Sequence, residues 1–252
     1  MARDDFNRRT VLKSTGIALA GGALSSGSVL GAARSESERE HLRSVVQRAR
    51  EIHRETGSPK RHDEYLDGTD VSVQRSVSGP GDVTADDDGP SVSPAAVSGV
   101  SSTLNVYSSG GSASAYYNVD IASQFGGGGS PKDKVGITWP NSDYELLQNG
   151  TGKNNAANAT LRDSGFGGAV WDFADGVACG LTCNLSFQLS TEMDVITNDT
   201  PRKVEGTYKS VSGSCSSAGV SFNVGGGFTV SGSSSSCDID VKQLDRNVTS
   251  DY

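Results

Sequence analysis

From residue 99 onward apolar side chains recur at every second position, and that period limits the fold more than any motif in the chain. Val100, Leu104 and Val106 alternate with polar residues, and beyond Ser108-Ser109-Gly110-Gly111 so do Ala113, Ala115, Tyr117, Val119 and Ile121. Side chains two apart share one face of a strand, so each run has one face to bury, and two runs joined at a Gly pair read as a hairpin. Val135, Ile137 and Trp139 mark the next strand. Others are expected at 144–147, 169–173, 181–190, 204–211, 220–224, 228–230 and 237–241. Stacking two sheets, or closing one on itself, buries all these faces together. The expected fold is therefore all-β, an antiparallel sandwich or barrel-like domain over 99–246.

Composition points the same way. Glycine occupies 32 of 252 positions and hydrophobic residues only 34%, which disfavours a helical bundle because glycine costs about 1 kcal/mol per helix position relative to alanine. The formal charge is −8, and no block of Lys or Arg interrupts it. A nucleic-acid partner is excluded on that ground, since backbone binding rests on clustered cations that release counterions.

Ahead of the β region, Ser35-Glu36-Ser37-Glu38 fits a capping box. Leu42, Val45, Val46, Ala49 and Ile52 then follow at helical spacing. A short amphipathic helix is expected over 36–56, within a 34–57 segment, ended by Gly57-Ser58-Pro59. Its other face carries Arg39, Glu40, Arg43, Arg48, Arg50, Glu51 and Arg54. That face reads either as solvated surface or as the flank of a docked helix. Residues 58–98 hold a weak strand through Val71 and Val73, then an acidic Gly/Pro/Ser stretch with the composition of a disordered linker. Asp86-Asp87-Asp88-Gly89 lacks the alternate spacing and distal Glu of a calcium loop. Residues 247–252 are expected to form a C-terminal tail.

The first 33 residues read as an address rather than as part of the fold. Asn7-Arg8-Arg9-Thr10-Val11-Leu12-Lys13 resembles the twin-arginine export motif, departing from it at Asn7, where Ser or Thr is usual. A weakly apolar run from Ile17 to Leu30 follows, too short and too rich in Gly and Ser to span about 30 Å of hydrocarbon. Gly31-Ala32-Ala33 then supplies a small-residue exit, with cleavage expected after Ala33. The mature chain would carry 18 basic and 28 acidic residues, a net charge of −10, and no transmembrane segment. Such a signal ahead of an acidic, Ser/Thr/Gly-rich chain resembles the exported proteins of halophilic archaea. In concentrated salt the Debye length falls to about 3 Å, so acidic surfaces are tolerated. The resemblance implies secretion or display at the cell surface by the twin-arginine translocation machinery; it carries over no functional residue.

Four cysteines, at 179, 183, 215 and 237, form an even set in a chain expected to be exported, so disulfides are expected. A hairpin centred on Gly226 would place Phe222 opposite Val230, Val224 opposite Phe228, and Cys215 opposite Cys237. That leaves Cys179 with Cys183, which requires a turn at Gly180, because an extended chain would hold their Cα atoms about 13 Å apart. A four-thiolate zinc site is the rival, poorly matched by this spacing. Sequons begin at Asn149, Asn158, Asn184, Asn198 and Asn247; the loop positions Asn149, Asn158 and Asn198 are the better glycosylation candidates.

Catalytic and cofactor motifs are missing from the sequence. The three histidines, His41, His53 and His62, all precede the linker, so the β region alone can assemble no His-based dyad. There is no nucleophile elbow, phosphate-binding Gly loop or His-Glu-x-x-His helix. Asp143, Glu145, Asp172, Asp175, Glu192 and Asp194 are the acids from which a glycosidase pair would have to come. Trp139, Tyr144 and Trp171 offer an aromatic platform for sugars, although both Trp alternate with apolar neighbours as core residues do. The Ser/Gly-rich stretch 203–241 loosely resembles the amphipathic hairpin of β-pore-forming toxins. The expected function is a binding or structural role at the cell surface, toward a surface protein or glycan, without catalytic centre or cofactor. The alternative is a carbohydrate-active protein, either a sugar-binding module or a carboxylate-based hydrolase.

Overall fold

Alternation in the sequence becomes two stacked antiparallel sheets in the computed structural model, which describes residues 27–78, 100–156, 158–174, 185–197, 201–214, 217–232 and 239–250, apart from 122–131. Twelve strands follow two helices, α1 (Gly27–Thr56) and α2 (Pro59–Leu66). The strands are β1 (Ser72–Ser78), β2 (Val100–Ser109), β3 (Ser112–Ile121), β4 (Asp133–Thr138), β5 (Tyr144–Asn154), β6 (Ala159–Gly165), β7 (Gly168–Phe173), β8 (Leu185–Val195), β9 (Arg202–Gly213), β10 (Ala218–Phe222), β11 (Phe228–Gly232) and β12 (Ile239–Ser250). One sheet, A, has the order β1-β2-β3-β8-β5, and the other, B, the order β12-β9-β4-β7-β6; β10 and β11 form a separate hairpin. The chain divides into compact units at Arg34/Ser35. Of the first unit only the backbone of the opening turns of α1 is described, and the core and the site described below lie in the second.

The inward positions of both sheets form one core. Val100, Leu104, Ala115, Tyr117 and Leu189 from sheet A meet Val135, Ile137, Trp171, Val204 and Tyr208 from sheet B. Phe173 on β7 stacks on Phe187 of β8, with centroids 4.3 Å apart. Tyr117 lies so close to Gly206 on β9 that a Cβ there would sit 2.5 Å from its ring.

Several sequence expectations change. The helix expected from 36 begins at Gly27, so it passes through the expected cleavage point after Ala33. Gly57-Ser58-Pro59 ends α1 and also starts α2: Ser58 caps its N-terminus, accepting from the Arg61 N–H, and Pro59 takes the first turn, where its missing N–H costs nothing. The weak strand over 69–77 is β1, the edge of sheet A rather than part of a linker. The expected tail is strand as far as Ser250. The hairpin centred on Gly226 is shifted by one residue in each strand. Phe222 faces Phe228 and Val220 faces Val230, because Asn223 to Gly227 form the loop, with Gly226 and Gly227 at φ of 96° and 77° and the Asn223 N–H donating to the Gly227 carbonyl. All four cysteines, the linker acids 86–88, and Asn184, Asn198 and Asp175 lie outside the described residues.

Candidate functional site

The outward face of sheet A is where polar chemistry collects. With the apolar positions of β2, β3 and β8 turned inward, the alternate ones turn out: Thr103, Asn105 and Tyr107; Tyr116, Asn118 and Asp120; Gln188, Glu192 and Asp194. Strand register aligns them in rows. Val77, Thr103, Asn118, Gln188 and Asn154 stand directly opposite one another across all five strands. Arg75, Asn105, Tyr116 and Ser190 form the adjacent row.

Part of this face is covered by α1. Leu42, Val45, Val46 and Ala49 pack with Leu66 of α2, Val71 and Tyr107 into a second core. The charged flank of the helix also binds the sheet. Arg39 forks onto Asp194, at 3.1 Å through Nε and 2.6 Å through Nη2. Arg43 donates to Glu192 through Nε and Nη2, at 3.0 and 2.7 Å to Oε2, and Arg50 donates to Gln188. Half-exposed pairs of this kind contribute about 0.2 to 1 kcal/mol each; their greater effect is to fix where the helix lies.

Beyond Ala49 the helix no longer covers the rows, and a groove of about 830 Å³ opens. Its floor is the two polar rows; its walls are the last two turns of α1, with Arg50, His53 and Arg54, and the start of α2, with His62. His62 is buried, its Nδ1 2.7 Å from Asp63 Oδ1 and its Nε2 3.0 Å from the Tyr107 hydroxyl. Arg75 donates to Asn105 Oδ1 at 2.8 Å and to Asp63 at 3.2 Å. His62 comes from α2, outside the 99–246 region, and reaches sheet A because α2 folds back onto it.

Burial pushes the Tyr107 hydroxyl up to about 12. An unfolded tyrosine titrates near 10, so the folded chain holds this proton more tightly. The resulting stability is complete below about pH 10 and is lost at about 1.4 kcal/mol per pH unit as pH rises toward the folded value. In the difference between phenolate-absorbance titrations of the wild type and Tyr107→Phe, the Tyr107 signal should appear only with alkaline unfolding; its appearance near pH 10 in the folded chain would contradict the burial.

The sequence-derived aromatic platform is corrected. Trp139 is 0% exposed, Tyr144 1% and Trp171 2%, and the Trp139 indole N–H is taken by the Tyr144 and Phe166 carbonyls. These rings fill the sandwich and present no face to a ligand. The candidate acids are largely committed as well. Glu192 and Asp194 hold α1, and Asp172 lies 2.9 Å from the buried Lys134 ammonium. Asp143 accepts from the Ser142 hydroxyl and the Lys203 N–H. Glu145 is exposed opposite Asp194. Nor is 203–241 a single hairpin: β9 pairs with β12 and β4, its Val204 and Tyr208 buried in the core.

A smaller cleft of about 450 Å³ lies between β5 and the β6–β7 turn, bordered by Leu146, Leu147, Leu161 and Phe166. The sequon residue Asn149 is on its rim, exposed and at φ 65°; Asn158 is half-buried just before β6. Among the described residues no helix is long and apolar enough to cross a membrane.

No family model matches the chain, and no curated protein matches it. A solved structure titled "Pore forming protein" is similar at 8% identity and a TM-score of 0.32, over 69% of this chain and 90% of that one. A likeness this distant carries no argument about function.

Proposed function

We propose that this is an exported binding protein, secreted or displayed at the cell surface after twin-arginine translocation, and that the groove on sheet A is its ligand site. The observation that carries the reading is the polar row on the groove floor, where Gln188 donates to Asn118 and receives a hydrogen bond from Arg50. Thr103, Asn118, Gln188 and Asn154 place hydroxyl and amide groups side by side on a rigid sheet, where solubility alone would be served by any charged residue. Amides both donate and accept, and an array held by strands is pre-organised for a hydroxyl-rich ligand such as a glycan. The signal motif and acidic surface support export.

Disulfide bonding belongs to the same proposal, on a different hairpin from the one the sequence suggested. The last described rung between β9 and β12 is Gly213 opposite Ile239, and in the sequence Cys215 lies two residues after the one and Cys237 two residues before the other. That spacing supports a Cys215–Cys237 bridge, with Cys179–Cys183 as the second pair. Asn149, Asn158 and Asn198 remain the proposed glycosylation positions.

The test is a glycan microarray probed with the full chain and with Asn118→Ala/Gln188→Ala. Binding to a defined glycan class that falls at least about tenfold in the double variant, the loss of roughly one or two hydrogen bonds, is the expected result. Glycan binding indifferent to the substitutions would overturn the location, and absence of binding to any glycan would overturn the ligand class.

A further inference from the structure

In a chain of net charge −8, the groove is lined by three arginines, Arg50, Arg54 and Arg75, against two acids, Glu51 and Asp120. Glu51 already pairs with Arg48, and Arg75 is shared between Asp63 and Asn105. The other two arginines are differently placed. Arg50 sits over the Tyr116 ring, 4.3 Å from its centroid, and donates to the neutral Gln188 amide; no carboxylate pairs with it among the described residues. Arg54, one helical turn further on, is exposed and makes no ion pair among them. On this helix Arg39, Arg43 and Arg48 each have a carboxylate partner, so the guanidiniums without one are those that face the groove.

We infer that the groove takes an anionic oligosaccharide, with a sugar-borne oxyanion held by Arg50 and Arg54 and sugar hydroxyls laid along the row of Thr103, Asn118 and Gln188. This rests on the groove being the binding site. A guanidinium offers a planar fork that matches a carboxylate or a sulfate ester in two parallel hydrogen bonds. Stacking on Tyr116 and bonding to Gln188 fix the Arg50 fork in advance, which lowers the ordering cost of binding. Arg54 is exposed on the rim and within the groove lining, placed to meet a bound anion. His53, the groove's exposed imidazole, adds positive charge only where it is protonated.

The experiment is calorimetric titration of the full chain with three probes of equal length: an oligouronate, a sulfated oligosaccharide and the neutral parent oligosaccharide. Arg54→Gln is the test variant, since it removes a charge that no contact in the fold uses. Arg48→Gln, on the same helix but outside the groove, is the control. The expected result is that one or both acidic probes bind at least about tenfold more tightly than the neutral one, a difference of about 1.4 kcal/mol. Arg54→Gln should reduce that preference while Arg48→Gln leaves it intact. The two acidic arms separate carboxylate from sulfate. Equal binding of neutral and acidic probes, or a preference untouched by Arg54→Gln, would overturn the anionic inference and leave the groove reading standing. If none of the three binds, the inference fails, and the microarray decides the groove separately.

Discussion

Trp139→Ala is expected to lower stability by about 3 to 5 kcal/mol, as large aromatic truncations in a core do. The indole is wholly buried, meets the Tyr144 ring edge-on at 6.3 Å, and donates to two main-chain carbonyls, that of Tyr144 at the start of β5 and that of Phe166 in the β6–β7 turn. Removing it opens a cavity and takes the donor from both carbonyls. A domain of this size is stable by about 5 to 15 kcal/mol, so a fall in Tm of about 10 °C or more should follow. Trp139→Phe keeps most of the volume but loses the donor, and should cost about 1 to 3 kcal/mol. Denaturant melts of both variants check this ordering. A change within about 0.5 kcal/mol for Trp139→Ala, the usual size for a surface position, would return Trp139 to the surface and revive the aromatic platform.

Cys215→Ser should have the next largest effect. A disulfide closing the loop of about twenty residues that contains the β10–β11 hairpin restricts the unfolded chain by about 3 kcal/mol in the chain-entropy account. The oxidised wild type should therefore be more stable than Cys215→Ser by about that amount, and reductant should erase most of the difference. Peptide mapping of unreduced protein gives the connectivity directly. A peptide joining residue 215 to 237 is the expected product; either cysteine linked to 179 or 183 would contradict the proposed pairing.

Strands with an apolar face were legible in the sequence because each announced its own period. Ala113, Ala115, Tyr117, Val119 and Ile121 recur at every second position, and all five are buried. Strand β6 was invisible for the opposite reason. Between Ala159 and Gly165 its residues lie exposed at the edge of sheet B, so main-chain pairing with β7 holds it and no side-chain period marks it. Helix α2 was signalled by Ser58-Pro59, a start that was read only as the end of α1. The Gly226 hairpin was misplaced because three consecutive glycines leave the centre of the turn undetermined, and hydrogen bonding within Asn223–Gly227 selects it.

The groove could not be found by scanning along the chain, since its parts come from both helices and all five strands of sheet A. The signal was nonetheless present in the outward positions. Asn105, Asn118 and Gln188 are amides where Ser or Thr would serve a solvated strand, and Arg50 and Arg54 share one flank of the helix. What the sequence lacked was the register that aligns Asn118, Gln188 and Asn154 and the fold-back of α2 that brings His62 to Tyr107. The Trp pair drew attention because Trp is rare and large, yet alternation of Trp139 with Val135 and Ile137, and of Trp171 with Ala169 and Phe173, already assigns both to the core.

The most direct test of the groove as ligand site is amide hydrogen exchange of the full chain, read by mass spectrometry, with and without a saturating concentration of an oligosaccharide that the chain binds on the microarray. Slowed exchange should concentrate in peptides covering Arg50–Arg54, Thr103–Tyr107 and Tyr116–Asp120. Slowed exchange at Leu146–Thr151 and Phe166 instead would move the site to the apolar cleft, and an unchanged pattern throughout would contradict ligand binding in the groove.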